Sequence, residues 1–223
     1  MGDDGRSRRS MSETGAPVLD ARTAALVRVA AAVARGKAPE LELRFAAARD
    51  AGVPGLWIEE LLLQSMLVVG YPLALVAFGS WRGLGVAVEG DGAEDLAHAE
   101  WEAWAARGAT VCREVYGRAY HKLLVNLRAL HPALEDLVVV DAYGKVIGRP
   151  GLDLKRRELC TVATTAVLGT AEQLHSHLRG ALNTGASGAE VEAVLTLIEE
   201  DLDADGRRSA REQWADVRGR TLT

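Results

Sequence analysis

Displaced against itself by 133 positions, the chain aligns two stretches without a gap, and no other feature constrains the fold as strongly. Leu26 meets Leu159, Val29 meets Val162 and Ala30 meets Ala163. Gly36 then falls on Gly169, Leu41 on Leu174, Ala48 on Ala181 and Gly52 on Gly185. Gly55 with Gly188, Glu59 with Glu192 and Leu62 with Leu195 complete the register. Chance matches of Ala and Leu are common in helical proteins, but matched glycines at successive helix stops are not. Glycine is favoured just past a helix, where the backbone takes a positive φ. The sequence therefore specifies a helix–turn–helix–turn–helix unit twice.

Apolar residues recur at helical spacing through nearly the whole chain, which predicts an all-α, internally duplicated fold. Helices are expected over 23–35, 39–51, 54–69 and 72–81, and again over 93–106, 109–130 and 134–142. The second copy supplies 154–168, 171–184, 187–201 and 205–218. The run Val138-Val139-Val140 favours a strand by propensity, but no partner strands are evident, so a helix is expected there. By domain the chain divides into a disordered tail over 1–20, a degenerate first core repeat over 21–81 and a linker with a helix over 82–107. A second core repeat with its lead-in over 108–203 and a C-terminal helix over 204–223 follow. The second copy has no evident counterpart of Gly70 to Phe78.

The second copy contains Arg157-Glu158-Leu159, then Gly169, His177-Leu178-Arg179, Ala181, Asn183, Gly185 and Glu190. This pattern resembles the core signature of carboxymuconolactone decarboxylases and of their sister group, the alkyl hydroperoxidase D proteins. The first copy resembles a degenerate version of it, and the stretch from Gly117 to Gly151 is similar to the lead-in of family members. The resemblance implies a helical fold assembled into symmetric oligomers. It also implies one of two chemistries, decarboxylation of a lactone acid or peroxide reduction through a Cys-x-x-Cys pair with a glutamate–histidine proton relay. Carried onto this chain, the relay residues are Glu158 and His177, while the two cysteine positions hold Thr170 and Gln173. A redox dithiol cannot form there, so a thiol peroxidase is disfavoured and the acid–base half survives.

If Gly169 is the corner of an antiparallel hairpin, Glu158 lies ~16 Å back along one helix and His177 ~12 Å along the other. His177 shares a helical face with Leu174, Leu178 and Ala181, and Glu158 borders the stripe of Leu159, Val162 and Ala163. A carboxylate and an imidazole at the edge of an apolar cleft can exchange protons with a substrate beside a carbonyl. A structural ion pair is the competing reading of the same residues. In the first copy Ala25 and Arg44 stand at these positions, so that copy is expected to be scaffold. His175 and His177, two apart on a helix, point to different sides, and no ligand cluster accompanies them. Neither a metal nor a cofactor is expected. Cys160 occupies the apolar slot held by Val27 in the first copy, and it and Cys112 are expected to be buried, inert thiols.

A formal net charge of −5, with Lys and Arg scattered among acids, gives no nucleic-acid surface. The longest apolar stretch, from Leu61 to Ala77, is interrupted by Gln64, Ser65, Gly70 and Pro72, which favours a core over a membrane role. With no leader-like apolar run at the N-terminus, a cytoplasmic location is expected. Leu61 to Val69 carries more apolar surface than one buried helix face needs, so a homo-oligomer is expected. The leading functional expectation is cofactor-free decarboxylation or isomerisation of a small lactone or carboxylate by Glu158 and His177. A catalytically silent oligomerising or binding module of the same fold is the alternative, with a peroxidase third.

Overall fold

The computed structural model describes residues 18–85 and 101–221, and within them every regular element is helical. In chain order these are α1 (Ala21–Arg35), α2 (Ala38–Asp50), α3 (Gly55–Gly83), α4 (Trp101–Tyr116), α5 (Tyr120–Leu130) and the single turn α6 (Leu134–Asp136). A π-helix (Leu137–Ile147) follows, then α7 (Leu154–Val167), α8 (Ala171–Asn183), α9 (Gly188–Leu197) and α10 (Ala204–Thr221).

Helix starts recur at the spacing of the repeat: 21 and 154, 38 and 171, 55 and 188. Asp20 caps α1 by accepting from the Thr23 amide, and Asp153 caps α7 by accepting from the Arg156 amide. Each aspartate satisfies an amide that the first helical turn leaves without a partner. Gly36 and Gly169 then turn the chain with φ of 65° and 69°.

α1 and α7 lie side by side and run in the same direction. Arg156 Nε donates to Thr23 Oγ1 near their N-termini, and Thr164 Oγ1 reaches the Ala30 carbonyl farther along. Leu26, Val29 and Ala30 of α1 join Leu159, Val162 and Ala163 of α7 in one buried cluster. α3 packs on α7 and α9 packs on α1, so the third helix of each copy covers the first helix of the other. Full burial of each Val or Leu contributes roughly 1.5–3 kcal/mol, and here that burial is completed only across the two copies.

Gly70, with φ 74° and ψ 169°, breaks α3 into the pieces 55–69 and 71–83. The second piece folds onto α2, where Trp81 packs on Phe45 with ring centroids 5.3 Å apart. In the second copy the break widens into a 3₁₀ turn (Glu199–Asp201) and the extended Leu202, and α10 then packs on α8. Ala210 and Trp214 stand 133 positions after Ala77 and Trp81 and are buried as they are. The expectation that the second copy lacks this segment is therefore overturned. An apolar sequence in one arm and a charged one in the other conceal the relation. As a whole α3 has the length and hydropathy of a membrane span. Its two pieces are each shorter than the ~20 residues a span needs, and Glu60 in the first is buried against Arg157.

Between the copies, the single helix expected over 109–130 is divided at Gly117 by a 3₁₀ turn. The helix expected over 134–142 is present, mainly in π form and extended to Ile147. α4 crosses this π-helix closely, with Gly108 against the Val139 carbonyl and Gly144 against the Trp104 carbonyl. Most of the expected 82–92 linker and the start of the helix expected at 93 lie outside the described residues.

Candidate active site

α7 and α8 form the antiparallel hairpin expected around Gly169, and it brings Glu158 and His177 together. His177 Nδ1 lies 2.9 Å from Glu158 Oε2, with the Glu158 side chain 3% exposed and that of His177 15%. Gly180, one turn along α8 from His177, faces the same carboxylate, and a Cβ there would overlap Glu158 Oε2. In the first copy Ala47 stands at this place opposite Ala25. The second copy thus pairs an added carboxylate with a removed methyl group.

The pair lines a cavity of about 230 Å³ between α3, α4, the π-helix and the α7–α8 hairpin. Leu67, Val68, Ala142, Ile147 and Leu168 form its apolar wall, and Gln64, Thr161, Thr165, Tyr116 and Tyr143 its polar wall. Thr170 and Gln173, at the positions carried over from the redox cysteines, line the same cavity. With Nδ1 committed to Glu158, Nε2 is the nitrogen His177 has left for a ligand. An ionised Glu158 fixes the tautomer that carries its proton on Nδ1, so Nε2 is an acceptor when the ring is neutral and a donor when it is charged.

Tyr116 and Tyr143 meet edge to face, with ring centroids 6.0 Å apart. Burial pushes the Tyr116 phenol up to about 12, against an opposing hydrogen-bond pull from the Tyr143 hydroxyl. Burial, with the charges of Tyr116 and Glu158 nearby, holds Tyr143 well above the ordinary tyrosine value. Both are therefore neutral hydroxyls at any physiological pH. Neither was singled out in the sequence, because they lie outside the repeated core and only the crossing of α4 with the π-helix aims them at the cavity. Gly180 was missed as well, although its mismatch with Ala47 in the repeat alignment is a readable signal.

Both cysteines are buried, as expected. Burial and then the Glu158 charge raise Cys112 to about 12, and burial raises Cys160 further, so neither is a ready thiolate. His175 points away from the cavity and pairs with Asp216 of α10 at 2.9 Å. Among the described residues no group of His, Cys, Asp and Glu has the arrangement of a metal site.

The family model for the carboxymuconolactone decarboxylase family matches residues 8–82 and 138–216, more than half of the chain in two separate stretches. A 4-carboxymuconolactone decarboxylase of Acinetobacter baylyi is 31% identical over 90 residues, covering 40% of this chain and 67% of that protein. A nitrosuccinic acid decarboxylase of Metarhizium robertsii is 36% identical over 90 residues, covering 40% of this chain and 63% of that protein. The chain thus spans about two thirds of the length of each of these relatives.

Proposed function

The chain belongs to the carboxymuconolactone decarboxylase family, and on that premise we propose that its second copy performs cofactor-free acid–base chemistry on a small lactone or carboxylate. The observation that carries this reading is the 2.9 Å Glu158–His177 pair, buried at the wall of a ligand-sized cavity. The Acinetobacter and Metarhizium relatives are both decarboxylases by name, which favours carbon dioxide loss over isomerisation.

In such a step the bond between the carboxylate carbon and its neighbour breaks, carbon dioxide leaves, and the electron pair passes into an adjacent carbonyl as an enolate. His177, protonated at Nε2, delivers its proton to the carbon that lost the carboxylate and recovers one from water. Glu158 holds the ring in place and stabilises its charged form. Isomerisation uses the same pair with Nε2 first removing a proton beside the carbonyl. The silent binding module remains the competing reading, and the first copy, with Ala25 and Arg44 at the paired positions, is an instance of this fold without the pair.

The test is carbon dioxide release from a panel of small lactone acids, keto acids and nitro acids, 4-carboxymuconolactone among them. Catalysed release from at least one is expected. Saturable binding without turnover of any member would favour the binding module.

A further inference from the structure

We infer that a second ligand site lies between α9 and α10, and that it takes an uncharged single-ring compound whose carbonyl oxygen accepts from the Trp214 indole. This site is separate from the Glu158–His177 cavity, and the inference does not depend on the reaction proposed there.

α9, Leu202 and α10 enclose a pocket of about 140 Å³. Leu195, Leu202, Ala210 and Trp214 give it an apolar floor, and none of its described lining residues lines the reactive cavity. Trp214 is 7% exposed, yet its Nε1 is buried with no hydrogen-bond partner among the described residues. Buried donors are nearly always bonded, because leaving one unmade forfeits its hydration without return.

The repeat shows how the first copy meets the same demand. Trp81 stands 133 positions before Trp214, and its Nε1 donates to Glu59 Oε1 at 3.4 Å. Glu192 matches Glu59, but its carboxylate faces Arg218 at 3.9 Å and its side chain is largely in solvent. The surroundings have changed as well. Leu63, Met66 and Phe78 of the first copy correspond to Thr196, Glu199 and Arg211, which line this pocket. Apolar side chains around the tryptophan have thus become polar ones that reach outward, while the floor beneath them stays apolar.

Size and charge define the ligand. An apolar cavity of roughly 150 Å³ holds one benzene ring. Arg207 gives its Nη1 hydrogens to the Glu199 and Leu202 carbonyls, and Arg211 pairs with the Glu199 carboxylate. The two arginines and two glutamates around the pocket balance, so they select for no net charge. The indole is a donor only, so the group it meets must be an acceptor, and a carbonyl oxygen on a ring fits both floor and donor.

The test is a titration of the full-length protein with cyclohexanone, and with toluene as a ring without a carbonyl, followed by the Trp214 indole N–H resonance and the Thr196 amide. Cyclohexanone should move the indole resonance downfield and saturate, and toluene should bind about tenfold more weakly. Trp214→Phe keeps the floor, and by the Thr196 amide it should weaken cyclohexanone about tenfold and leave toluene unchanged. Should that variant fail to fold, Glu199→Met with Arg211→Phe restores the first copy's side chains at two positions that reach solvent, and it should abolish binding of both rings. An indole resonance unmoved by cyclohexanone would overturn the inference, as would undiminished binding in the Glu199→Met, Arg211→Phe variant. So would an upfield move of the ligand-free resonance in Glu192→Ala, because Glu192 would then serve Trp214 as Glu59 serves Trp81.

Discussion

Gly180 and Glu158 occupy one space: the carboxylate oxygen of Glu158 lies where a side chain on residue 180 would begin. Gly180→Ala should displace the carboxylate and loosen its 2.9 Å contact with His177. Overpacking of this kind costs about 1–3 kcal/mol. Turnover should fall at least tenfold by the same displacement, since a misplaced group forfeits positioning. Thermal unfolding and turnover of the one variant check both effects. Unchanged turnover would show that the placement of Glu158 is not critical.

The thiols should be dispensable. Cys112 and Cys160 are buried with raised pKa values, and neither lines the cavity. Replacing both with Ala should leave turnover within about twofold and cost about 1 kcal/mol each in packing. Thiol-dependent peroxidase activity that vanishes in the double variant would contradict this.

The paired caps make stability fall in acid. Burial alone would raise the pKa of Asp153, but hydrogen bonds from the Arg156 amide and guanidinium outweigh it and leave the carboxyl below its ordinary value. Asp20 is lowered likewise, through Thr23 and Arg156. A carboxyl depressed on folding stabilises the protein above its unfolded pKa, and that contribution is lost as pH falls through the folded value. Asp153→Ala should cost about 1 kcal/mol at neutral pH. The difference from wild type should shrink below pH ~4, as chemical denaturation across pH would show.

Tyr71, Leu75 and Val76 expose an apolar face on the outer piece of α3, where α10 has Ala204, Arg208 and Ser209 at the matching positions. That asymmetry supports a homo-oligomer built through the first copy's arm. Light scattering coupled to size exclusion should give a mass of two or more chains. Leu75→Arg should reduce it to one. A single-chain mass for wild type at micromolar concentration would refute the assembly.

The hairpin around Gly169 was legible in the sequence because its glycines and apolar stripe repeat, and with it came the convergence of Glu158 on His177. The α10 counterpart was hidden, since only Ala210 and Trp214 keep the buried pattern while the exposed face changed from apolar to charged. The π-helix was half-legible: apolar run and length gave a helix, but its register depends on how closely α4 crosses at Gly108 and Gly144. Tyr116 and Tyr143 reach the cavity through that crossing, which no local pattern encodes. Arg157 read as part of a family signature, and its burial against Glu60 became visible only when α3 was placed on α7.

The central claim is that Glu158 and His177 act as one proton-transferring unit, and a cycle of Glu158→Gln, His177→Gln and the double variant tests it most directly. Rates of carbon dioxide release are compared on the panel member that wild type turns over, with folding verified by circular dichroism. Each single variant should lose about 10²–10⁴-fold in turnover, the range of general acid–base catalysis. The double variant should be no more than about threefold worse than the weaker single, because residues acting as a unit are not additive. Singles that keep full activity, or losses that multiply in the double variant, would contradict the account and return the pair to a structural role.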